Sequence, residues 1–503
     1  MTDADQAPIT NALEALTSDG LIAFLGKQRW FAAKGSAPSD ASLSNFIMMP
    51  WGSGRFALAH VLVRGSSGEH IYQLPLATRS SPPSDVPQSA FLSTSPAVVF
   101  DAVHDEEFRA GLAKALERGV SIVGADGAMW IAEPEPGDRL QLPDYVSTRI
   151  GSGEQSNTSI VVGDVAILKL FRLLKPGIHP DVEVTRFLTL RAGFKNTPTL
   201  LASMRFEDTG VHLVSGMLQS FLNGSSDAWA YALDKGRAYI VAGPREPVNT
   251  FLDDAKRLGV VTRAMHDALG SDDADTAFAP EAATPEDLDR WSKRIKDSVH
   301  DSLALLAGRL QSPNFPTQRI AEAKALVGRR DHFTAWIDEI DEALGDDLGM
   351  LIRVHGDYHL GQVLRTSSGD FDVIDFEGEP SRSLDERREK LSPLRDVAGM
   401  LRSFAYAAAT LATSVEKTLD MPTRELRGAR WERDVRAAFL TGYLGNPDDD
   451  APDILPEEPE HVQLLLSLFE AEKVFYELAY ELNNRPDWAW IPMRGISKLL
   501  TKR

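Results

Sequence analysis

Two short segments, Val354-His-Gly-Asp-Tyr-His-Leu-Gly-Gln362 and Val373-Ile-Asp-Phe-Glu377, concentrate oxygen donors and imidazoles in one stretch of chain. Between them, Ser367-Ser-Gly-Asp370 reads as a hairpin turn; pairing Thr366 with Phe371 sets Gln362 directly opposite Asp375 across the ladder. Asp375 is then a hard carboxylate ligand suited to Mg²⁺, and Gln362 offers a neutral carbonyl oxygen. Asp357, on the preceding loop, can take a proton from a hydroxyl. Together these are parts for phosphoryl transfer. Any one of the acids alone reads as a turn or capping aspartate, so the weight rests on their joint spacing.

The neighbouring residues leave alternatives open. His355 and His359 either form a zinc pair or are residues that shape the loop or touch substrate, His359 being the substrate-binding candidate; the glycine between them and the absence of cysteine disfavour zinc. Glu377 either holds a second metal ion or accepts backbone hydrogen bonds. Arg395 and Asp396, at the start of the helix in Ser392-Pro-Leu-Arg-Asp-Val-Ala-Gly-Met-Leu-Arg402, either brace the catalytic loop or cap that helix.

Further upstream, Val165-Ala-Ile-Leu-Lys-Leu-Phe171 alternates as a strand and places Lys169 on a face with Val165, Ile167 and Phe171. An ammonium there either snorkels from an edge or meets an anion. Gly151-Ser-Gly-Glu-Gln-Ser-Asn-Thr-Ser159 precedes it, and the donors of this run, Ser156, Asn157 and Thr158 among them, could cover a phosphate chain. A plain hairpin loop is the competing reading, because the later glycine of G-x-G-x-x-G is missing. Glu183 follows in the first turn of a helix expected from about Pro180 to Gly193. Donor-rich loop, strand, lysine and glutamate-bearing helix is the order of parts in a kinase-like nucleotide lobe.

Near the end of the chain, His461 to Asn484 reads as one amphipathic helix with an apolar stripe from Leu464 to Leu482. Lys473, Tyr476, Glu477, Tyr480 and Asn484 share another face, followed by Arg485, Trp488 and Trp490. Such a stripe is either solvated or suited to a carbohydrate, whose hydroxyls need donors and acceptors and whose faces pack on aromatic rings.

These residues need two kinds of scaffold. Strand-like runs at Phe56 to Val63 and Ile71 to Leu76 suggest a mixed N-terminal subdomain, residues 1–97. A β-rich block follows over 98–222, with strands expected at Ala128 to Glu133, Ser159 to Val162, Val165 to Phe171 and Val211 to Met217, and a helical region over 223–503. Polar stretches at Arg79 to Gln88, Gly270 to Asp287 and Asn446 to Glu460 read as exposed loops. The 503 residues, 43% hydrophobic and 25% charged, have the balance of a globular protein. A net charge of -20 argues against nucleic acid and anionic membrane surfaces as partners. Zero cysteines exclude disulfides, zinc ribbons, iron–sulfur clusters and thiol nucleophiles. The acidic, polar Met1 to Gln6 lacks the build of a secretory signal, and no run approaches the ~18–20 apolar residues of a membrane span. The expectation is a cytoplasmic protein without a membrane anchor.

GEQSNTS (Gly153 to Ser159), VAILKLFR (Val165 to Arg172), EVTRFL (Glu183 to Leu188), HGDYHLGQVL (His355 to Leu364), DFEGEP (Asp375 to Pro380) and RDVAGMLRSF (Arg395 to Phe404) resemble bacterial maltokinases. So do KQRWFAAKG (Lys27 to Gly35) and FYELAYELNNRPDW (Phe475 to Trp488). The resemblance implies an α+β, bilobal, protein-kinase-like fold with an N-terminal cap subdomain, a β-rich nucleotide lobe and a large, mostly helical C-lobe. It implies transfer of the ATP γ-phosphate to the anomeric hydroxyl of maltose, giving maltose 1-phosphate for trehalose and α-glucan metabolism, with ATP and Mg²⁺ as cofactors. Carried onto this chain, it implies that Lys169 contacts the ATP phosphates and pairs with Glu183. Asp357 is then the catalytic base, Gln362 and Asp375 hold Mg²⁺, and main chain from Gln219 to Phe221 meets adenine. Gln362 stands where protein kinases have asparagine, and Asp375-Phe-Glu377 where they have Asp-Phe-Gly. The resemblance leaves room for a complex with trehalose synthase. Arg29, Trp30, Phe31 and Lys34 belong either to a cap interface or to buried aromatic packing. Two other readings stay open: a kinase for glucosamine or another monosaccharide, and a non-catalytic binding protein that keeps the fold.

Overall fold

The computed structural model describes residues 9–31, 38–66, 68–81, 84–93, 98–137, 140–151, 156–243, 251–312, 315–414, 419–445 and 452–499. They fall into two compact units: Met1–Arg186 with Pro198–Asn223, and Phe187–Thr197 with Gly224–Arg503.

The first unit is built on two antiparallel sheets. One runs in the order Asp40–Met48, Phe56–Gly65, Gly68–Arg79, Val98–Asp101 and Phe91–Ser93. The other has seven strands, in the order Ser121–Val123, Met129–Pro134, Leu200–Asp208, Val211–Ser220, Ala166–Phe171, Asn157–Val162 and Thr148–Ile150. The sheets are stitched together by covalent continuity and by one buried amide. Just past Phe171 the chain leaves the second sheet, and Leu173–Leu174 pairs with Tyr72 and Ile71 of the first. The Gln73 side chain donates to the carbonyls of Phe171 (3.0 Å) and Ser215 (2.9 Å). Residues from both sheets, such as Phe56 and Phe100 with Leu168 and Leu218, share a single core with the helix Glu106–Arg118. That helix has a legible start and stop: Asp105 caps it through the Glu107 N–H, and Gly119 ends it at φ 69°.

The second unit is helical, as the 3.6-residue patterning predicts. Its centre is Leu394–Ser414, which has 17 buried residues out of 21 and is therefore covered nearly all round rather than along one stripe, with Arg395, Asp396, Arg402 and Ser403 among the buried residues. Leu252–Leu269, Met421–Tyr443 and Pro459–Asn484 complete its main frame. A small sheet of Ser226–Asp227, Val363–Arg365 and Phe371–Val373 carries the chemistry-bearing hairpin. Asn196, in a segment that follows the π-helical turn Phe187–Arg191, supports it: its side-chain amide donates to Phe371 O (2.8 Å), and its main-chain carbonyl accepts from Val373 N (2.8 Å). Among the described residues no helix is long and apolar enough to cross a membrane.

Trp30 and Phe31 are buried, with Trp30 under the Arg172 guanidinium at 4.7 Å. Packing is thus the role the structure gives them. Lys34 lies outside the described residues, as do residues 152–155 of the donor-rich loop and residues 82–83 and 446–451 of the polar stretches.

Candidate active site

The loop at Val354–Gln362 is fixed from behind by its own histidines and by one aspartate. His355 is 1% exposed. Its Nδ1 accepts the Asp357 N–H (3.3 Å), which puts the proton on Nε2 for donation to Ile374 O (3.0 Å). One ring therefore ties the catalytic loop to the strand that leads into Asp375. His359 caps the next short turn, its Nδ1 accepting from Gly361 N (3.0 Å). Desolvation pushes its imidazole below the ordinary value in spite of Asp357, so the 3.9 Å approach of Nε2 to Asp357 Oδ2 joins a neutral ring to a carboxylate. The histidines shape the loop, as one of the two sequence readings held.

Asp396 is the loop's anchor. Its carboxylate accepts the main-chain N–H groups of His355 (2.7 Å) and Gly356 (3.0 Å), and His266 Nε2 lies 3.2 Å away. Burial acts to raise this carboxyl, but His266, His355 and the Gly356 amide together hold it below the usual carboxylate range. Bracing, rather than helix capping, is what the structure shows. His266 is in turn held by Tyr443, Nδ1 to hydroxyl 2.9 Å. On the same helix Ser403 Oγ receives Leu360 N–H (3.1 Å). A Cβ on Gly399 would stand 2.6 Å from Tyr358 O, so only glycine lets the loop lie on the helix there.

The hairpin register differs from the expectation by one residue. Val363 pairs with Val373 and Arg365 with Phe371, and Ile374 N donates to Gln362 O at 3.0 Å, so Ile374, not Asp375, stands opposite Gln362. The turn is tighter than four residues: Thr366 closes directly on Asp370, with Gly369 at φ 88°. Arg257 grips Asp370 with two bonds of 2.7 Å and steadies the hairpin. Asp375 departs from strand geometry at φ 71°, a left-handed conformation that aspartate tolerates better than most residues. This turns the chain out of the ladder and leaves carboxylate oxygens of Asp375 and Glu377 within 4.8 Å of one another. The Gln362 carboxamide has no hydrogen bond among the described residues, and Asp357 carries a carboxylate that is 31% exposed. Hard oxygen donors suit Mg²⁺ far better than the imidazole or thiolate sets of zinc.

Arg387 is a residue the sequence reading did not single out. Its guanidinium donates to the carbonyls of Arg382, Glu377 and Pro380, folding the segment after Asp375 around itself. Burial lowers its pKa, opposed by Glu377, Glu379, Asp357 and Asp375. No periodicity or motif marks it.

A cleft of about 620 Å³ opens beside Gly356 and Tyr358, with Glu379, Arg382, Lys473 and Tyr476 on its walls. It brings the expected sugar face of Pro459–Asn484 beside the catalytic loop. Tyr476 and Tyr480 are 47% and 46% exposed. The Tyr476 hydroxyl is pushed up to about 12 by burial and by Glu379. Glu477 is committed elsewhere, its carboxylate held by Arg402 at 2.6–3.2 Å. Glu472 pairs with Arg395, whose guanidinium also stacks on Phe469 at 4.4 Å.

In the first unit, Lys169 is 6% exposed, and the structure gives it a carboxylate the sequence did not nominate: Asp181 Oδ2, 2.9 Å from Nζ. Asp181 lies in the first turn of Pro180–Arg186 together with Glu183, the carboxylate that the resemblance implied for Lys169. Thr158 is buried and its hydroxyl accepts from Arg172 Nε (2.8 Å), while Ser156 is exposed and Asn157 half-buried. Gln219 is buried in the ladder opposite Ile167. Phe221 spends its main-chain N–H on Val165 O (2.9 Å).

Residues 24–105 match the maltokinase N-terminal cap domain. The chain is 27% identical over 353 residues to a glucosamine kinase of Streptacidiphilus jiangxiensis, covering 70% of this chain and 73% of that protein. It is 27% identical over 351 residues to a glucosamine kinase of Mycolicibacterium smegmatis, covering 69% and 78%. A solved glucosamine kinase in complex with glucosamine, ADP and inorganic phosphate superposes with a TM-score of 0.65 over 92% of this chain and 94% of that one, at 22% identity. The fold is kinase-like, a β-rich N-terminal region followed by a helical C-terminal region.

Proposed function

We propose that this chain is an ATP- and Mg²⁺-dependent sugar kinase that phosphorylates the anomeric hydroxyl of maltose. The observation that carries the proposal is Asp357: a carboxylate with spare acceptor capacity, on a loop pinned from behind by Asp396, beside a cleft lined with hydroxyl-binding side chains. Asp357 accepts the proton as the sugar oxygen forms its bond to the γ-phosphorus and the bond to the β-phosphate oxygen breaks. Lys169 meets the phosphates as a fixed cation. Gln362 and Asp375, with Glu377 as a further carboxylate, would hold Mg²⁺, which neutralises phosphate charge during transfer. Loop rigidity matters because most of the acceleration in such transfers comes from alignment and electrostatic stabilisation.

Maltose as acceptor is supported by the cap domain over residues 24–105 and by the tyrosine- and tryptophan-bearing C-terminal helix region. The product would supply α-glucan synthesis, with trehalose synthase the partner the resemblance suggests. Glucosamine is the second reading, favoured by the names of the two curated relatives. Incubation with ATP, Mg²⁺ and a panel of sugars, with NMR identification of the phosphorylated product, tests both. Product from maltose bearing phosphate on the anomeric oxygen is expected, and no turnover of any sugar would reject the kinase reading.

A further inference from the structure

Residues 376–391 lead away from Asp375 and return to the strand that enters the Val354–Gln362 loop. Leu391 closes the return: its N–H donates to Ile352 O (2.8 Å) and its carbonyl accepts from Ile352 N (3.0 Å). His355 closes the departure through Ile374 O. Between these ends Gly378 lies on the loop itself, since a Cβ on Gly356 would stand 3.3 Å from Gly378 Cα, and both glycines are left-handed, at φ 83° and 72°. One segment thus touches the loop of the proposed base and begins at a proposed metal ligand.

Regular structure does little to hold this segment. Its one helix, Leu384–Arg388, has five residues, too few for stability of its own. Arg387 supplies the support. Each of its three guanidinium nitrogens donates to a different main-chain carbonyl: Nε to Arg382 O (3.1 Å), Nη1 to Glu377 O (3.4 Å) and Nη2 to Pro380 O (2.7 Å). Its aliphatic stem packs on Gly378, where an added Cβ would stand 3.3 Å from Arg387 Cβ and 3.4 Å from Cγ. Glu377, Glu379, Asp357 and Asp375 all lie close enough to favour its charge, yet among the described residues it forms no ion pair. A planar fork directed at main chain fixes the path of the backbone instead of neutralising one side chain.

We infer that Arg387 is a positioning residue for the metal-binding turn: it holds the chain from Glu377 to Arg382 so that the carboxylates of Asp375 and Glu377 keep the spacing a divalent ion requires. Mg²⁺ tolerates little departure from its preferred geometry, so a ligand turn free to relax binds it poorly. Loss of a group that supports metal ligands from behind costs about 10–100-fold in metal affinity. Lysine is no substitute, because its donors radiate from a single nitrogen and cannot span three carbonyls. The inference rests on the sugar-kinase reading above for the ion's role in turnover, but the affinity itself is measured without sugar.

The test titrates wild type, Arg387→Lys and Arg387→Met with Mn²⁺ in the presence of ADP, reading bound ion by electron paramagnetic resonance, and unfolds each in urea without metal. Both variants should bind Mn²⁺ about 10–100-fold more weakly. A residue that only stabilised the fold would lower the urea midpoint and leave the Mn²⁺ affinity of the folded protein unchanged. That result, or wild-type affinity in Arg387→Lys, overturns the inference. If Arg387→Met does not fold, Arg387→Lys decides alone, because it keeps the stem and the charge and lacks only the fork. Absence of Mn²⁺ binding by wild type overturns the inference together with the metal role of Asp375. The expected affinities without turnover of any sugar overturn the kinase reading and sustain the role of Arg387.

Discussion

The Asp396 carboxylate receives the main-chain N–H of His355 at 2.7 Å across 41 residues of sequence, and its other oxygen receives that of Gly356. Two amides at the head of the catalytic loop thus depend on a single buried anion. Asp396→Asn removes the charge and one acceptor. It should cost about 1–3 kcal/mol in urea unfolding through the orphaned amide. Turnover should fall by about 10²-fold as the loop loses its position.

Asp357 has the reverse profile, because its carboxylate accepts no hydrogen bond among the described residues and only approaches His359 Nε2 at 3.9 Å. Asp357→Asn should reduce kcat by roughly 10²–10⁴-fold with the melting temperature unchanged. An equally active Asp357→Asn protein would remove Asp357 as the proposed base.

At Asp375 the backbone and the ligand make separate demands. Asparagine tolerates φ 71°, so Asp375→Asn should raise the Mg²⁺ concentration needed for half-maximal turnover while leaving unfolding nearly unaltered. A β-branched valine cannot adopt that conformation cheaply. Asp375→Val should add a stability loss of about 1–3 kcal/mol, measurable in the absence of any metal.

Asp372 predicts a pH dependence of stability. Burial, with Asp370 adding to it, pushes its carboxyl up to about 6, whereas the unfolded chain titrates near the ordinary value. A raised folded pKa means that the native state holds its proton longer, so stability falls as pH rises between roughly 4 and 6 and stays reduced above that. At 1.36 kcal/mol per pH unit the loss is at most about 3 kcal/mol. Asp372→Asn should be more stable than wild type at pH 7.5 by up to that amount and about equal at pH 4, as read by urea titrations at both values.

The sequence was most legible where function is written in local residue types. One loop and one hairpin, joined where Ile374 N–H meets Gln362 O, carry Asp357, Gln362 and Asp375, and Lys473 and Tyr476, three residues apart on one helix, both line the cleft beside that loop. The hairpin register was misread by one residue because the turn closes on Asp370 around Gly369 and not through a four-residue loop. The strands Asp40–Met48 and Leu200–Asp208 went unrecognised, and both contain bulges, at Leu43/Asn45 and at Leu200/Ala202 and Met204/Arg205. Each bulge breaks the two-residue alternation on which strand recognition depends. His266 and Arg387 carry no local signature at all. Their roles arise from groups that only the folded chain assembles.

Asp396, Gly399, Arg402 and Ser403 all project from about two turns of the buried helix Leu394–Ser414. Two of them hold the Val354–Gln362 loop, one lets that loop lie close, and Arg402 holds Glu477 on the neighbouring helix Pro459–Asn484. That short rod is a common datum for the loop and the helix beside it. Any drift of the rod carries the proposed base and the proposed sugar face along together, so their mutual spacing survives thermal motion that would misalign parts mounted on separate loops.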